Sequence, residues 1–391
     1  MQTLAKDNKQ KKAVIIYGML AFCVVLLNWI AWNSNTFCDA YIKYIFPIWV
    51  NTYGRFTGLF PFSVGEILLL LGVCSVVLLV VLLLLFGVTK ICALLQKKQD
   101  TVGKKMSSFW RFSKGYFCWF AWVFLIVCMI MTLNCTILYH ASTFSEHYYG
   151  EEEGNYTLDD LIKVRNLVVK RCNELSLELE RDEQGYLIYD GDLEADAIKA
   201  MQKLGQTYDQ LDGYYPRPKP LAASDFFSQQ YICGYYFPFS MEANYNNVMY
   251  IMNVPNTLCH ELAHLRGYIY EDEATFIAYL ACIQSENKFF EYSAYLNVLY
   301  YLDEDFFNAV DWDTYLSQPA ISPLVYFDDT FLFEEDWDRI NEEAVVDTET
   351  VDEISDAFTD TTLKLNGVED GIISYSRVVE LLLWYYDNQE K

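Results

Sequence analysis

Cys259-His260-Glu261-Leu262-Ala263-His264-Leu265-Arg266-Gly267, followed closely by Glu271-Asp272-Glu273-Ala274, is the most chemically pointed stretch of this 391-residue chain. It contains H-E-x-x-H. On a helix, positions i and i+4 lie one above the other on one face, so His260 and His264 can grip one metal ion while Glu261 reaches a water beside it as general base. The chain has four histidines, and two of them sit here. The competing explanation is an ordinary amphipathic surface helix with Glu261 merely solvated. The scarcity of His, the Gly267 stop and the nearby acids favour the metal site.

A hydrolytic zinc ion takes three protein ligands and keeps a position for water. The third ligand is expected to be Glu271, with Glu273 as its rival. An unbroken helix would carry Glu271 roughly 10 Å along the axis from His264, too far to share an ion. Gly267 removes that obstacle, because glycine is the usual residue where a helix ends in a left-handed conformation. The chain can then turn back, with Glu271 opening the next helix. Zn2+ is the cofactor implied.

Outward from this motif, composition divides the chain. Residues 1–139 hold 13 Lys and Arg against four acids, whereas the remainder holds 15 against 49, and the whole carries a formal net charge of -25. A basic, apolar half joined to an acidic half suggests a membrane anchor carrying a water-exposed domain. An acidic surface argues against nucleic acid, whose binding needs clustered Lys and Arg. Seven of the 11 cysteines precede residue 139, mostly in apolar runs where Cys acts as a small hydrophobe. Cys172, Cys233, Cys259 and Cys282 remain, with no C-x-x-C spacing and no pairing deducible.

Three stretches are long and apolar enough to span a bilayer: residues 13–32, 67–88 and 116–138. The first follows four lysines, but its apolar core is long for a signal peptide and no small-x-small cleavage site follows. Lys and Arg concentrate in the N-terminus and in the loop from Thr89 to Gly115. The positive-inside rule therefore places both in the cytoplasm, and residues 140–391 outside. The loop from Ser34 to Ser63, rich in aromatics, is expected to lie in the membrane interface, with packing under the outer domain as the alternative.

The outer half reads as α+β, mainly helical with a small sheet. Glu151–Asn155 reads as a solvated linker, and Thr157 with Asp159 and Asp160 as a helix start. Helices are expected over 158–179, 194–208, 274–302, 351–365 and 375–386. Tyr214–Pro220 reads as an extended connector. Tyr231–Met241, aromatic and broken by Pro238, reads as strand with an edge or bend at the proline. An edge strand beside the motif helix would suit a peptide substrate, which can add to it as a further strand.

At these residues the chain also resembles a known family. His-Glu-Leu-Ala-His-x-x-Gly followed by Glu-x-Glu-Ala is similar to the bacterial membrane proteins of domain-of-unknown-function family 3810, grouped with zincin-like metallopeptidases. The resemblance extends to Pro61-Phe62-Ser63-Val64-Gly65-Glu66, Tyr236-Phe237-Pro238-Phe239, Leu365 to Gly371 and Ser374 to Val379. It implies a membrane-bound zinc peptidase acting on a peptide or protein. The alternative is a zinc-stabilised, non-catalytic sensor or scaffold of the cell envelope. Wider zincins open the third-ligand motif as Glu-x-x-Ala-Asp, which Glu271-Asp272-Glu273-Ala274-Thr275 matches at Glu271 and Ala274. Thr275 departs from the Asp or Asn, which implies a weakened or missing hydrogen bond behind a ligand. Tyr375 and Arg377 are candidates for oxyanion stabilisation by position, with a structural role preferred.

Overall fold

The computed structural model describes residues 2–95, 100–150, 156–368 and 377–389. Among them, Gln10–Ala31, Val64–Ile91 and Ser108–Tyr139 are helical and apolar enough to cross a membrane, so each expected span is present and extends at its polar ends. The third is not a plain helix. Its regular part, Asp100–Met131, passes into a π-helical turn at Thr132–Thr136 before Ile137–Tyr139 completes it. Asn28, the strongly polar residue of the first span, donates to Thr132 Oγ1 at 2.8 Å and to Val24 O at 2.8 Å. Hydrocarbon cannot solvate an amide, so the two helices are held together where that amide is satisfied.

The loop between the first two spans combines the two expectations: one face packs under residues 140–391, while Phe56, Leu59 and Phe62 stay exposed. It folds into helices Asn35–Tyr44 and Phe46–Trp49 and a π-turn at Val50–Gly54. Cys38, Ile42, Phe46 and Val50 enter the same apolar core as the C-terminal half. The membrane-length helices with their loop and residues 140–391 therefore share one core.

Beyond the third span, Thr157 caps helix Leu158–Glu178 with a reciprocal Asp160 bond, as the sequence predicts. That helix lies along Lys288–Ala309, the longest of the outer half. The expected helix over 274–302 is interrupted: Glu271–Ile283 ends, Glu286 takes φ +63, and Asn287 caps Lys288–Ala309 through its side chain. Between that helix and Thr348–Leu365 the chain carries short helices Trp312–Ser317, Pro323–Asp328 and Glu334–Glu343. The acidic stretch Glu151–Asn155 lies outside the described residues.

The sheet has three short strands in the order β1-β3-β2. Strand β1 (Lys219–Pro220) runs parallel to β3 (Glu242–Tyr245), and β2 (Gly234–Phe237) runs antiparallel to it with Phe237 opposite Glu242. Pro238 falls in the turn after β2, where its missing N–H costs no ladder bond. The outer edge of β2 has no strand partner among the described residues.

A buried ion pair fastens this sheet to the anchor. Lys219 and Glu242 are 5% and 2% exposed and bond directly to each other. Lys219 Nζ also donates to the carbonyls of Thr57 and Phe62, and Glu242 accepts from the N–H groups of Val64 and Gly65 at the start of the second span. Glu66 in turn accepts from Ala222 and Ala223. The first-turn N–H groups of a helix have no internal partner, so Glu242 satisfies donors that would otherwise be left unpaired away from water. Lys219→Met leaves Glu242 charged and buried, a loss of about 3–5 kcal/mol. We expect a clearly lower melting temperature for this variant of the full-length protein in detergent, and an unchanged melt would show that the clamp is dispensable.

Candidate metal centre

The motif helix, Val254–His264, starts with Pro255 in its first turn, where a missing N–H is tolerated, and stops at its second histidine. Gly267 follows at φ +96 and its N–H donates to His264 O at 3.0 Å. A Cβ at this glycine would lie 2.7 Å from Ile42 Cγ2 and 3.3 Å from Leu138 Cδ2. Gly267 thus serves both the left-handed turn and the close approach of the anchor. Glu271 is the first residue of the return helix, Glu271–Ile283, as the sequence predicts.

This turn brings three donor atoms together. His260 Nε2 lies 2.8 Å from Glu271 Oε2 and 3.1 Å from His264 Nε2, and the third side, His264 Nε2 to Glu271 Oε2, is 3.6 Å. Tetrahedral ligands about 2.0–2.1 Å from a zinc ion stand roughly 3.3 Å apart. The three sides bracket that value, so the donor set fits zinc in both chemistry and spacing. His260, Glu261 and His264 also form the group of metal-ligating types whose donor atoms lie within 4.8 Å of one another. Beside that group, Glu271 is the carboxylate in direct contact with both rings.

The far side of each ring is committed. His264 Nδ1 is 2.7 Å from the Tyr268 carbonyl, which can only accept, so this nitrogen carries a proton and Nε2 offers its lone pair to the cluster. His260 Nδ1 is 3.2 Å from Thr275 Oγ1. The departure at Thr275 therefore does not remove the supporting bond. The partner here is a neutral hydroxyl, which steadies the ring without adding charge.

Electrostatics follow from burial and from Glu271. Burial pushes His260 below its ordinary pKa. Burial acts the same way on His264, but the charges of Glu271 and Glu261 outweigh it and raise His264 to about 9. Burial would raise Glu271, yet the His264 charge and hydrogen bonds from both rings hold it well below the usual carboxylate range. Two imidazole nitrogens facing each other at 3.1 Å need a bridge between their lone pairs. A proton supplies it when no cation is bound, and a divalent ion can take its place.

Glu261 sits beside this triangle, 4% exposed, with Oε2 lacking any hydrogen-bond partner. Burial raises its pKa to about 8; the His264 charge and the Tyr236 N–H oppose that rise, while the Glu271 charge adds to it. Strand β2 presses on the same carboxylate. A Cβ at Gly234 would lie 2.5 Å from Glu261 Oε1, 2.7 Å from its Cγ and 2.8 Å from Thr257 Cγ2.

The rival acid points elsewhere. Glu273 accepts from Ser145 N at 3.1 Å and from Ser145 Oγ, capping the short helix Phe144–Tyr149. Asp272 lies 3.6 Å from Arg377 Nε, which gives that arginine a structural partner; Tyr375 lies outside the described residues. His140 packs on the Trp32 ring at 4.3 Å and His147 on Tyr148 at 4.6 Å, each away from the cluster. Two contributors escaped the sequence reading. Tyr268 acts through its carbonyl, which leaves no side-chain signal. Gly234 does have one, since an isolated glycine in a strand marks close approach of another group.

Fold and site together define a largely helical protein with three membrane-length helices among the described residues and a partly buried His-Glu-His-Glu cluster at the end of a stopped helix. The family model "Protein of unknown function (DUF3810)" matches residues 41–383, and the chain belongs to that family. No curated protein and no solved structure matches it.

Gly234→Ala should lower the melting temperature by overpacking, at a cost of about 1–3 kcal/mol. Part of that loss should return in Gly234→Ala/Glu261→Ala, because trimming the carboxylate makes room for the new methyl. Purely additive melting shifts would show that strand and carboxylate do not compete for this space.

Proposed function

We propose that this protein is a membrane-anchored, zinc-dependent metallopeptidase with a zincin-like domain. The observation that carries the reading is the triangle of His260 Nε2, His264 Nε2 and Glu271 Oε2, with sides of 2.8, 3.1 and 3.6 Å, beside a buried carboxylate with a free oxygen. His260, His264 and Glu271 would hold Zn2+. Bound there, zinc supplies a Lewis acid and water of lowered pKa.

The chain's own residues do the rest. Glu261 takes a proton from the attacking water on its unpartnered oxygen and passes it to the leaving amine. Tyr268 holds the His264 imidazole in the tautomer that leaves Nε2 free, and the Thr275 hydroxyl steadies the His260 ring at Nδ1. The edge of β2 next to Glu261 has no strand partner, and its outward backbone groups other than the Tyr236 N–H, which bonds Glu261, are offered to an extended peptide, which fixes the scissile bond in register. The concentration of Lys and Arg in the N-terminus and second loop supports a multi-pass cell-membrane protein with a cytoplasmic N-terminus and an extracytoplasmic site.

Glu261→Gln in the full-length protein should keep zinc at wild-type stoichiometry and abolish peptide cleavage, while His260→Ala loses the metal. Cellular function retained by Glu261→Gln would instead mark a metal-stabilised scaffold. Thr275→Val should raise the zinc dissociation constant about tenfold, as measured by competition with a chelator. Unchanged affinity would exclude Thr275 from supporting His260.

A further inference from the structure

The site stands on the ends of the membrane helices, and this bears on what it can cut. Tyr236 joins the two directly. Its backbone N–H bonds the Glu261 carboxylate, and its hydroxyl donates to Asn134 O in the π-turn of the third span at 3.4 Å. One residue further along β2, Phe237 packs on Gly65 in the first turn of the second span, so closely that a Cβ there would meet the Phe237 ring at 2.7 Å. Next, Pro238 O accepts from Asn134 Nδ2 at 2.8 Å. On the opposite side of the cluster, Tyr270, immediately before Glu271, donates from its hydroxyl to Tyr139 O at 2.7 Å, in the last turn of the third span.

Strand β2 is therefore a ruler between the reacting groups and the bilayer. Gly234 touches Glu261 and Phe237 touches the second span, and those positions are separated by three residue rises, about 10 Å. A chain paired along β2 covers that distance in about three residues. Aromatic and aliphatic side chains left exposed just before the second span, Phe56 at 57%, Leu59 at 77% and Phe62 at 47%, suit the interfacial layer on the same side. Water-soluble peptides gain nothing from such a placement, whereas a polypeptide emerging from the bilayer meets the site within its first few residues.

Resting on the peptidase reading above, we infer that the substrate is the juxtamembrane segment of a membrane-anchored polypeptide, cut within a few residues of the bilayer surface. The test uses full-length, zinc-loaded protein in phospholipid vesicles and a randomised peptide library in three forms. One form is free, one is tethered to a transmembrane helix and one to an acyl chain, the tethered forms through flexible spacers of about three, ten or twenty residues. Cleavage positions and rates are read by mass spectrometry, with Glu261→Gln as the blank.

Recruitment to the vesicle alone raises the rate of all tethered forms through effective concentration, so the decisive readout is the spacer. We expect kcat/KM to be at least about tenfold higher with the shortest spacer than with the longest, and cuts to cluster close to the anchor. A difference between the two tethers then tells whether a helix or a lipid is the natural anchor. Equal cleavage of free and tethered peptides, or cutting independent of spacer, overturns the inference and leaves the peptidase reading intact. Absence of cleavage in every form overturns both.

Discussion

The return of Glu271 to the two histidines is the contact on which the rest of the site depends. The histidines lie one turn apart on a helix that ends at the second of them, and the third donor arrives from a new helix whose first residue it is. Between them the chain must reverse within six residues. A left-handed glycine makes that reversal possible, and the Tyr268 carbonyl inside the turn holds the His264 ring. Turn and site are one construction: the residues that reverse the chain also orient its donors.

That construction is not free-standing. Gly267 lies against Ile42 and Leu138, Tyr270 against Tyr139, and Phe237 against Gly65, so the turn, the return helix and the edge strand each lean on the anchor. The buried Lys219–Glu242 pair ties the sheet to the N-terminal end of the second span. A buried pair contributes little net stability over apolar packing, but losing one partner is costly, so it acts chiefly to specify geometry. Cutting the outer half away would expose Glu242 and strip the support from under the cluster. The anchor is part of the site's scaffold rather than a tether.

Much of this was legible in the sequence because it rests on local rules. The spacing of His260 and His264, the stop at Gly267, the three apolar runs and the cap at Thr157 depend on neighbours within a turn or two, and all take the expected form. Where non-local packing decides, the reading fell short. The loop from Ser34 to Ser63 is aromatic throughout, and only the surface offered by residues 140–391 decides that Cys38, Ile42, Phe46 and Val50 enter the core while Phe56, Leu59 and Phe62 stay exposed. Glu271 and Glu273 both lie in the first turn of one helix. Their division of labour is set by Ser145, more than a hundred residues away. Thr275 looked like a lost support because a hydroxyl is a poorer partner than a carboxylate in the abstract. Here it lies 3.2 Å from the ring it serves.

The central claim is that Glu271, and not its neighbour two residues on, completes a zinc site with His260 and His264. Metal content of the purified full-length protein tests it most directly when wild type, Glu271→Ala and Glu273→Ala are compared by elemental analysis. The account predicts one zinc per chain in wild type and in Glu273→Ala, and loss of zinc in Glu271→Ala with the helical signal retained. A wild-type protein without zinc, or zinc retained in Glu271→Ala and lost in Glu273→Ala, would contradict it.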